Sequence, residues 1–134
     1  MMRAFTAAAL VAVLTACQSE PIGGPLSIEV GAPTSVAILQ TVNEAGQRCW
    51  MRPDEKPFRK YRMVPELDTI AGNPRILLVE RNNSAGRPQL VIESTSSPVK
   101  VSTYGPLVRT KLGGRINADI IRWSTGDSRC AGHS

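Results

Sequence analysis

Residues 48–62 are the part of this chain that is richest in side chains able to recognise an anion. Their sequence, RCWMRPDEKPFRKYR, mixes six basic residues with three aromatic ones. Guanidinium groups bind phosphate and carboxylate through paired hydrogen bonds, and aromatic faces stack on sugars or cations. The segment predicts a surface for an anionic glycan or a protein partner, formed by Arg48, Trp50, Arg52, Arg59, Lys60 and Arg62. In the alternative interpretation the three aromatic residues belong to the core and the arginines are simply solvated.

Residues suited to catalysis are scarce. Nucleophilic catalysis needs a serine or cysteine beside a positioned base, and the single histidine, His133, is the last residue but one. Paired carboxylates could hydrolyse a glycosidic bond, but the candidates lie in or near predicted loops: Asp54, Glu55, Glu66 and Asp68. One histidine does not supply a usual metal-ligand set, and no glycine-rich phosphate loop is found. We therefore expect no enzymatic activity, no metal and no cofactor.

The N-terminal residues have the composition of an export signal. Arg3 supplies a positive start, and the apolar run from Ala4 to Leu14 is too short to span a bilayer. This run ends in Leu-Thr-Ala-Cys17, which resembles the lipobox of bacterial lipoproteins. The resemblance implies that residues 1–16 are cleaved and that Cys17 carries a diacylglycerol, usually with a further acyl chain on the new N-terminus. An ordinary secretory signal is the alternative, because Leu-Thr-Ala also offers small residues near a cleavage site.

The same resemblance implies a location. A lipoprotein with such a signal faces the periplasm, and Gln18 in place of aspartate favours the outer membrane over the inner membrane. Two or more acyl chains hold a protein firmly to a bilayer. The expected partners are therefore the membrane itself, through the lipid, and an outer-membrane protein or an anionic glycan. Nucleic acid is not expected in that compartment.

The two remaining cysteines form an even pair in an oxidising compartment. This predicts a disulfide between Cys49 and Cys130. The bond would close a loop of about 80 residues and contribute about 4 kcal/mol in the chain-entropy model. Two free thiols are the alternative.

The chain is basic, with 16 lysines and arginines against 11 acidic residues and a net charge of +5. Removal of the leader would take Arg3 and leave +4. A basic surface facing the periplasm suits lipopolysaccharide phosphates, anionic lipid headgroups or acidic glycans. A solvated surface without a specific partner is the alternative.

Proline and glycine divide the chain into a tether and a domain. Residues 17–33 are predicted to be the lipidated cysteine followed by a flexible tether, because prolines and glycines interrupt any continuous element. The alternation of Leu26, Ile28 and Val30 also allows a short edge strand there. Residues 34–134 are predicted to form a single domain that faces the periplasm.

Periodicity within this domain predicts one clear helix and several strands. Apolar residues recur at helical spacing over 35–48, after a threonine or serine suited to capping. Alternating or continuous apolar runs predict four strands joined by turns that suit antiparallel pairing: 58–64, 75–81, 89–94 and 99–104. Residues 107–123 are compatible with a short helix over about 115–123 or with a fifth strand.

These elements predict an α+β fold in which one N-terminal helix packs on an antiparallel sheet of three to five strands, with a short C-terminal helix as an option. The expected function is that of a lipid-anchored, non-enzymatic accessory or interaction module at the outer membrane. Small assembly-factor lipoproteins of the barrel machinery are similar in this general plan. The alternatives are a module that binds glycan or lipopolysaccharide, and an inhibitor of a cell-wall hydrolase. Membrane-bound lysozyme inhibitors are similar in size and in having one disulfide, but lysozyme is itself basic, which disfavours a basic inhibitor.

Overall fold

A computed structural model of the chain describes residues 22–132. The predicted lipidation site at Cys17, the predicted cleavage position before it, Gln18 and His133 lie outside the described residues. The described part has two α-helices on one face of a five-stranded antiparallel sheet, which confirms the predicted α+β fold. The optional C-terminal helix is present.

The sheet contains strands β1 (Leu26–Glu29), β2 (Tyr61–Glu66), β3 (Arg75–Glu80), β4 (Leu90–Thr95) and β5 (Lys100–Tyr104), in the spatial order β1-β5-β4-β3-β2. The helices are α1 (Ser35–Cys49) and α2 (Gly113–Ser124). Two short 3-10 turns precede β2 and α2: the first turn is Lys56–Phe58 and the second turn is Pro106–Arg109.

Helix α1 begins and ends close to where the sequence predicts. The side chain of Thr34 caps its N-terminus by accepting a hydrogen bond of 3.0 Å from the backbone N–H of Ala37. The buried stripe of the helix consists of residues spaced three or four apart, which pack against the sheet: Ile38, Leu39, Val42, Ala45 and Cys49. The helix therefore owes its position to its apolar face.

The predicted strand over residues 58–64 begins three residues later in the structure. Phe58 is not in the strand but ends the first 3-10 turn, where its ring is fully buried. The ring stacks on Trp50 with 4.7 Å between the centroids. Burial of this aromatic pair thus keeps Phe58 in the turn. The alternation of buried and exposed residues that marks β2 begins only at Tyr61.

Within the predicted tether, the edge strand that the alternation of Leu26, Ile28 and Val30 allowed is present, so these residues belong to the domain and not to a flexible segment. Strand β1 pairs with β5, so that Leu26 lies opposite Thr103 and Glu29 opposite Lys100. The pairing is favoured because Leu26 and Ile28 pack against the core under the helices. The fifth strand therefore comes from the start of the chain and not from residues 107–123. Those residues form α2, whose buried positions recur at helical spacing.

The predicted disulfide between Cys49 and Cys130 is confirmed, with 5.2 Å between the Cα atoms. It joins the end of α1 to the segment that follows α2. The indole Nε1 of Trp123 donates a hydrogen bond of 3.1 Å to the carbonyl of Arg129 in the same segment. The bond and this contact together hold a C-terminal segment that would otherwise have little apolar burial.

Helix α2 starts in very close contact with the second 3-10 turn. A Cβ atom at Gly113 would lie 1.8 Å from the carbonyl oxygen of Val108, which is well inside van der Waals contact. Only glycine fits at this position without a backbone shift. The close approach fixes where α2 leaves the end of the sheet.

We predict that Gly113→Ala lowers the free energy of unfolding by about 1–3 kcal/mol, because the added methyl group forces the turn and helix apart. Denaturant unfolding followed by circular dichroism measures the change. Gly31→Ala is the matched control, since no atom lies within 4 Å of a Cβ built there. Equal stabilities for the two variants would contradict the packing argument.

Candidate binding surface

The six residues predicted to form one binding surface do not lie together. One of them is buried in the core, and the other five lie in two separate regions of the protein surface. Trp50 is fully buried, so its assignment to a binding surface is wrong. Its ring stacks on Phe58 and lies 4.9 Å from the ring of Trp123, between centroids. Tyr61 is also buried. The alternative interpretation, in which these aromatic residues fill the core of a small domain, is correct.

A buried carboxylate accepts a hydrogen bond from the only polar atom of the Trp50 side chain. The indole Nε1 donates a hydrogen bond of 2.8 Å to Oδ2 of Asp119, whose side chain is 1% exposed. Arg122 donates to Oδ1 of the same carboxylate at 2.7 Å, and Nε of Arg115 lies 3.7 Å from Oδ2. A buried charge is tolerated only when it is paired and hydrogen-bonded. The position of Asp119 is thus structural.

Arg115 extends this network to the loop before the first 3-10 turn. Its Nη1 lies 2.6 Å from Oε1 of Glu55, and its guanidinium lies over the ring of Phe58 at 5.3 Å. Arg52 approaches the same Glu55 carboxylate at 3.7 Å. These side chains line a shallow cleft of about 440 Å3 together with Asp54 and residues 131–132. The acidic and basic groups of the cleft pair with one another, and the pair between Glu55 and Arg115 connects the loop to α2.

Arg48 also has a structural contact. Its guanidinium donates to the carbonyl of Ser128, in the segment that carries the disulfide. Arg48 and Arg52 therefore lie beside the C-terminal segment, whereas Arg59, Lys60 and Arg62 lie at the start of β2. The sequence-predicted surface is thus not continuous.

The register of the strands brings other basic residues to the start of β2. Tyr61 lies opposite Glu80, Leu78 opposite Leu90, and Val91 opposite Tyr104. The start of β2, the end of β3, the start of β4 and the end of β5 therefore share one end of the sheet. The connections at that end are the first 3-10 turn, the β3–β4 loop and the second 3-10 turn.

Backbone contacts hold these connections together. The N–H of Arg81 donates to the carbonyl of Lys60 at 2.9 Å, and Nε of Arg81 donates to the carbonyl of Arg59 at 3.1 Å. On the other side, the N–H of Leu107 donates to the carbonyl of Gln89 at 2.9 Å. The three connections thus form one rim along the end of the sheet.

Eight exposed cations lie on this rim, and we call them the basic end: Lys56, Arg59, Lys60, Arg62, Arg81, Arg87, Arg109 and Lys111. The ion pairs among residues 22–132 involve other arginines, and none of these eight takes part in one. Of the neighbouring acids, Asp54 and Glu55 face Arg52 and Arg115, whereas Glu80, which lies opposite Tyr61 and precedes Arg81, is in none of the ion pairs among residues 22–132. The strands from β2 to β5 are separated by about 4.8 Å each, so the basic end is about 14 Å wide or more.

The outer face of the sheet is different in character. An apolar row crosses it where Val64, Leu77, Val91 and Tyr104 lie side by side. Beside this row Glu66 and Glu93 flank Arg75, whose Nε donates to Glu66 at 2.7 Å. Burial raises the pKa of Tyr104, as does nearby Glu93, so its phenol adds no charge at neutral pH. The excess positive charge is therefore concentrated at the basic end.

Half of the basic end could not be recognised as part of one surface from residues 48–62 alone. Arg81, Arg87, Arg109 and Lys111 come from two later connections in the chain. The signal that could have found them is the predicted antiparallel pairing of consecutive strands, because Arg81 and Arg87 follow β3 and Arg109 follows β5. Charges that flank paired ends of antiparallel strands meet at one edge.

Between residues 22 and 132 no group of three or more histidine, cysteine or acidic side chains is arranged to hold a metal ion. In the same range no helix is both long enough and apolar enough to cross a bilayer. Among the carboxylates considered for hydrolysis, Glu55 and Glu66 each contact an arginine at 2.6–2.7 Å.

Comparisons with known proteins found no matching family model, no matching curated protein and no matching solved structure.

We predict that Asp119→Ala lowers the free energy of unfolding by about 3–5 kcal/mol, because it leaves the Trp50 indole and two arginines without their shared acceptor. Denaturant unfolding followed by tryptophan fluorescence measures the loss. Asp127→Ala is the control, since its carboxylate pairs with the exposed side chain of Arg129 at the surface, where an ion pair contributes little. A similar loss in both variants would show that the buried network has no special role.

Proposed function

We propose that this chain is a lipid-anchored, non-enzymatic interaction module on the periplasmic side of the bacterial outer membrane. Its binding surface is the basic end, and its partner is an anionic component of the cell envelope. The observation that carries the proposal is the concentration of eight exposed cations on one rim, none of them in an ion pair within residues 22–132.

The anchoring part of the proposal rests on the lipobox-like residues that end at Cys17. The disulfide between Cys49 and Cys130 supports it, because such bonds persist in oxidising compartments such as the periplasm. An anchored domain needs no high intrinsic affinity, since tethering raises its effective concentration near the partner. A weak, salt-dependent electrostatic surface is sufficient for such a protein.

Binding is a better use of this surface than catalysis. Arginine and lysine on short connections supply hydrogen bonds and positive charge for phosphate or carboxylate groups. Within residues 22–132, the carboxylates Glu55, Glu66 and Asp119 each contact an arginine closely, which favours a role in pairing over a role in proton transfer. Their charges stabilise the fold by pairing.

The anchor predicts a specific effect of Cys17→Ala. The variant should incorporate no labelled palmitate and should keep residues 1–16, because the cysteine is the acceptor of the lipid and the lipid precedes cleavage. Metabolic labelling and the intact mass of the purified chain measure both effects. A Cys49→Ala, Cys130→Ala double variant should still incorporate the label. An unlabelled wild-type chain that is cleaved at another position would identify an ordinary secretory signal instead.

The binding surface is tested in cells with a photocrosslinking amino acid at Arg87, on the basic end. We expect adducts whose mass identifies a phosphate- or carboxylate-bearing envelope molecule, because the neighbouring cations attract such groups. The matched control position is Glu44, which is exposed on α1. Identical adducts from both positions, or adducts with uncharged molecules only, would contradict the assignment of the basic end.

A further inference from the structure

The first described residues are fastened to the domain, and we call Ile22–Pro25 the N-terminal strap. The side-chain amide of Asn117 on α2 donates to the carbonyl of Ile22 at 3.1 Å and to that of Gly24 at 2.8 Å. The backbone N–H of Gly24 donates to the carbonyl of Val108 at 2.7 Å. Asn117 is itself buried and accepts a hydrogen bond of 2.9 Å from Thr103. The strap is therefore part of the folded domain.

The strap lies at the basic end. Val108, its hydrogen-bond partner, immediately precedes Arg109 in the second 3-10 turn. A Cβ atom at Gly23 would lie 3.2 Å from the Val108 carbonyl and 3.3 Å from the N atom of Gly114. Leu26, the residue after the strap, pairs with Thr103 next to the end of β5. The N-terminal part of the chain thus joins the domain beside Arg109 and Lys111.

This attachment limits how far a membrane anchor can be from the basic end. Cys17 precedes Ile22 by five residues, which span about 17 Å when fully extended. Without the strap and β1, the predicted tether would have extended to Pro33. The opposite end of the sheet, with Lys100, is farther away by the length of a strand of five or six residues, about 16–20 Å. A lipid on Cys17 therefore holds the basic end, and not the opposite end, close to the bilayer.

We propose that the basic end rests on anionic phospholipid headgroups of the membrane that holds the lipid anchor. This inference rests on the anchoring proposed above and names the partner of the same surface. Attraction between exposed charges acts over roughly 8–10 Å in physiological salt, so it requires the close approach that the strap provides. Basic residues next to a lipid anchor are a common second signal that strengthens attachment to an anionic membrane.

The chain carries its own reporters for this orientation. It has four lysines, of which Lys56, Lys60 and Lys111 belong to the basic end. The fourth, Lys100, starts β5 at the opposite end and is exposed, so it is an internal control. An amine-reactive reagent followed by mass spectrometry gives the modification rate of each lysine in one sample.

The experiment uses the full lipidated chain on vesicles of phosphatidylcholine alone and on vesicles that also contain phosphatidylglycerol. On the anionic vesicles we expect Lys60 and Lys111 to react at least about fivefold more slowly than on the neutral ones, while Lys100 is unchanged. High salt should restore their reactivity, because it screens the attraction.

Two variants with equal loss of charge test which cations are responsible. Arg62→Gln, Arg87→Gln, Arg109→Gln removes three arginines of the basic end, keeps all four lysines as reporters, and should abolish the protection. The control variant Arg48→Gln, Arg75→Gln, Arg129→Gln removes three exposed arginines elsewhere and should retain it. Thermal unfolding of both variants verifies that each is folded. Equal effects of the two variants would overturn the inference.

Other outcomes also overturn it, and they are separable from a failure of the anchor. Equal protection of Lys100, or no protection on anionic vesicles, would show that the basic end does not face the membrane. Protection by soluble lipopolysaccharide without protection on phosphatidylglycerol vesicles would assign the surface to a glycolipid ligand instead. Failure of the anchor is detected independently, as a chain that does not float with neutral vesicles.

Discussion

The burial of the Trp50 indole is the constraint on which the rest of the domain depends. The ring lies between Phe58 and Trp123, and its only polar atom is satisfied by Asp119. One side chain thereby joins the end of α1, the loop before β2 and the middle of α2, three regions far apart in sequence. The adjacent disulfide at Cys49 adds the C-terminal segment to the same point. A small domain with five aromatic residues obtains much of its core in this way.

The residues around Trp50 also determine where some of the charged side chains lie. Asp119 holds Arg115 and Arg122 against the core, and Glu55 holds Arg115 from the other side. These two carboxylates are thereby held near the helices and the disulfide. The connections at the basic end have few acids, so their cations project into solvent without ion-pair partners within residues 22–132. The charge of the domain is therefore asymmetric, with paired arginines near the core and, among residues 22–132, unpaired cations at the basic end.

The N-terminal strap is attached at the same end of the sheet as the basic end. A long flexible tether would let any face of the domain meet a membrane. Pairing of β1 with β5, and the two hydrogen bonds from Asn117, leave only four residues between Cys17 and Ile22, the first residue held in the folded domain. The same contacts place Ile22–Pro25 beside the second 3-10 turn. The proposed anchor and the positive charge would then act on one surface, which is the basis for the proposed membrane-facing orientation.

The sequence by itself determined the fold class, helix α1, the approximate positions of β3, β4 and β5, and the pairing of Cys49 with Cys130. These follow from local periodicity, capping and an even count of cysteines, which need no knowledge of distant contacts. Only the tertiary structure decided that Trp50 is core, that Leu26–Glu29 completes the sheet, and that Arg81, Arg87, Arg109 and Lys111 join Arg59, Lys60 and Arg62. Each of these depends on strand register and on packing between residues far apart in the chain. Neither can be predicted from a local sequence pattern.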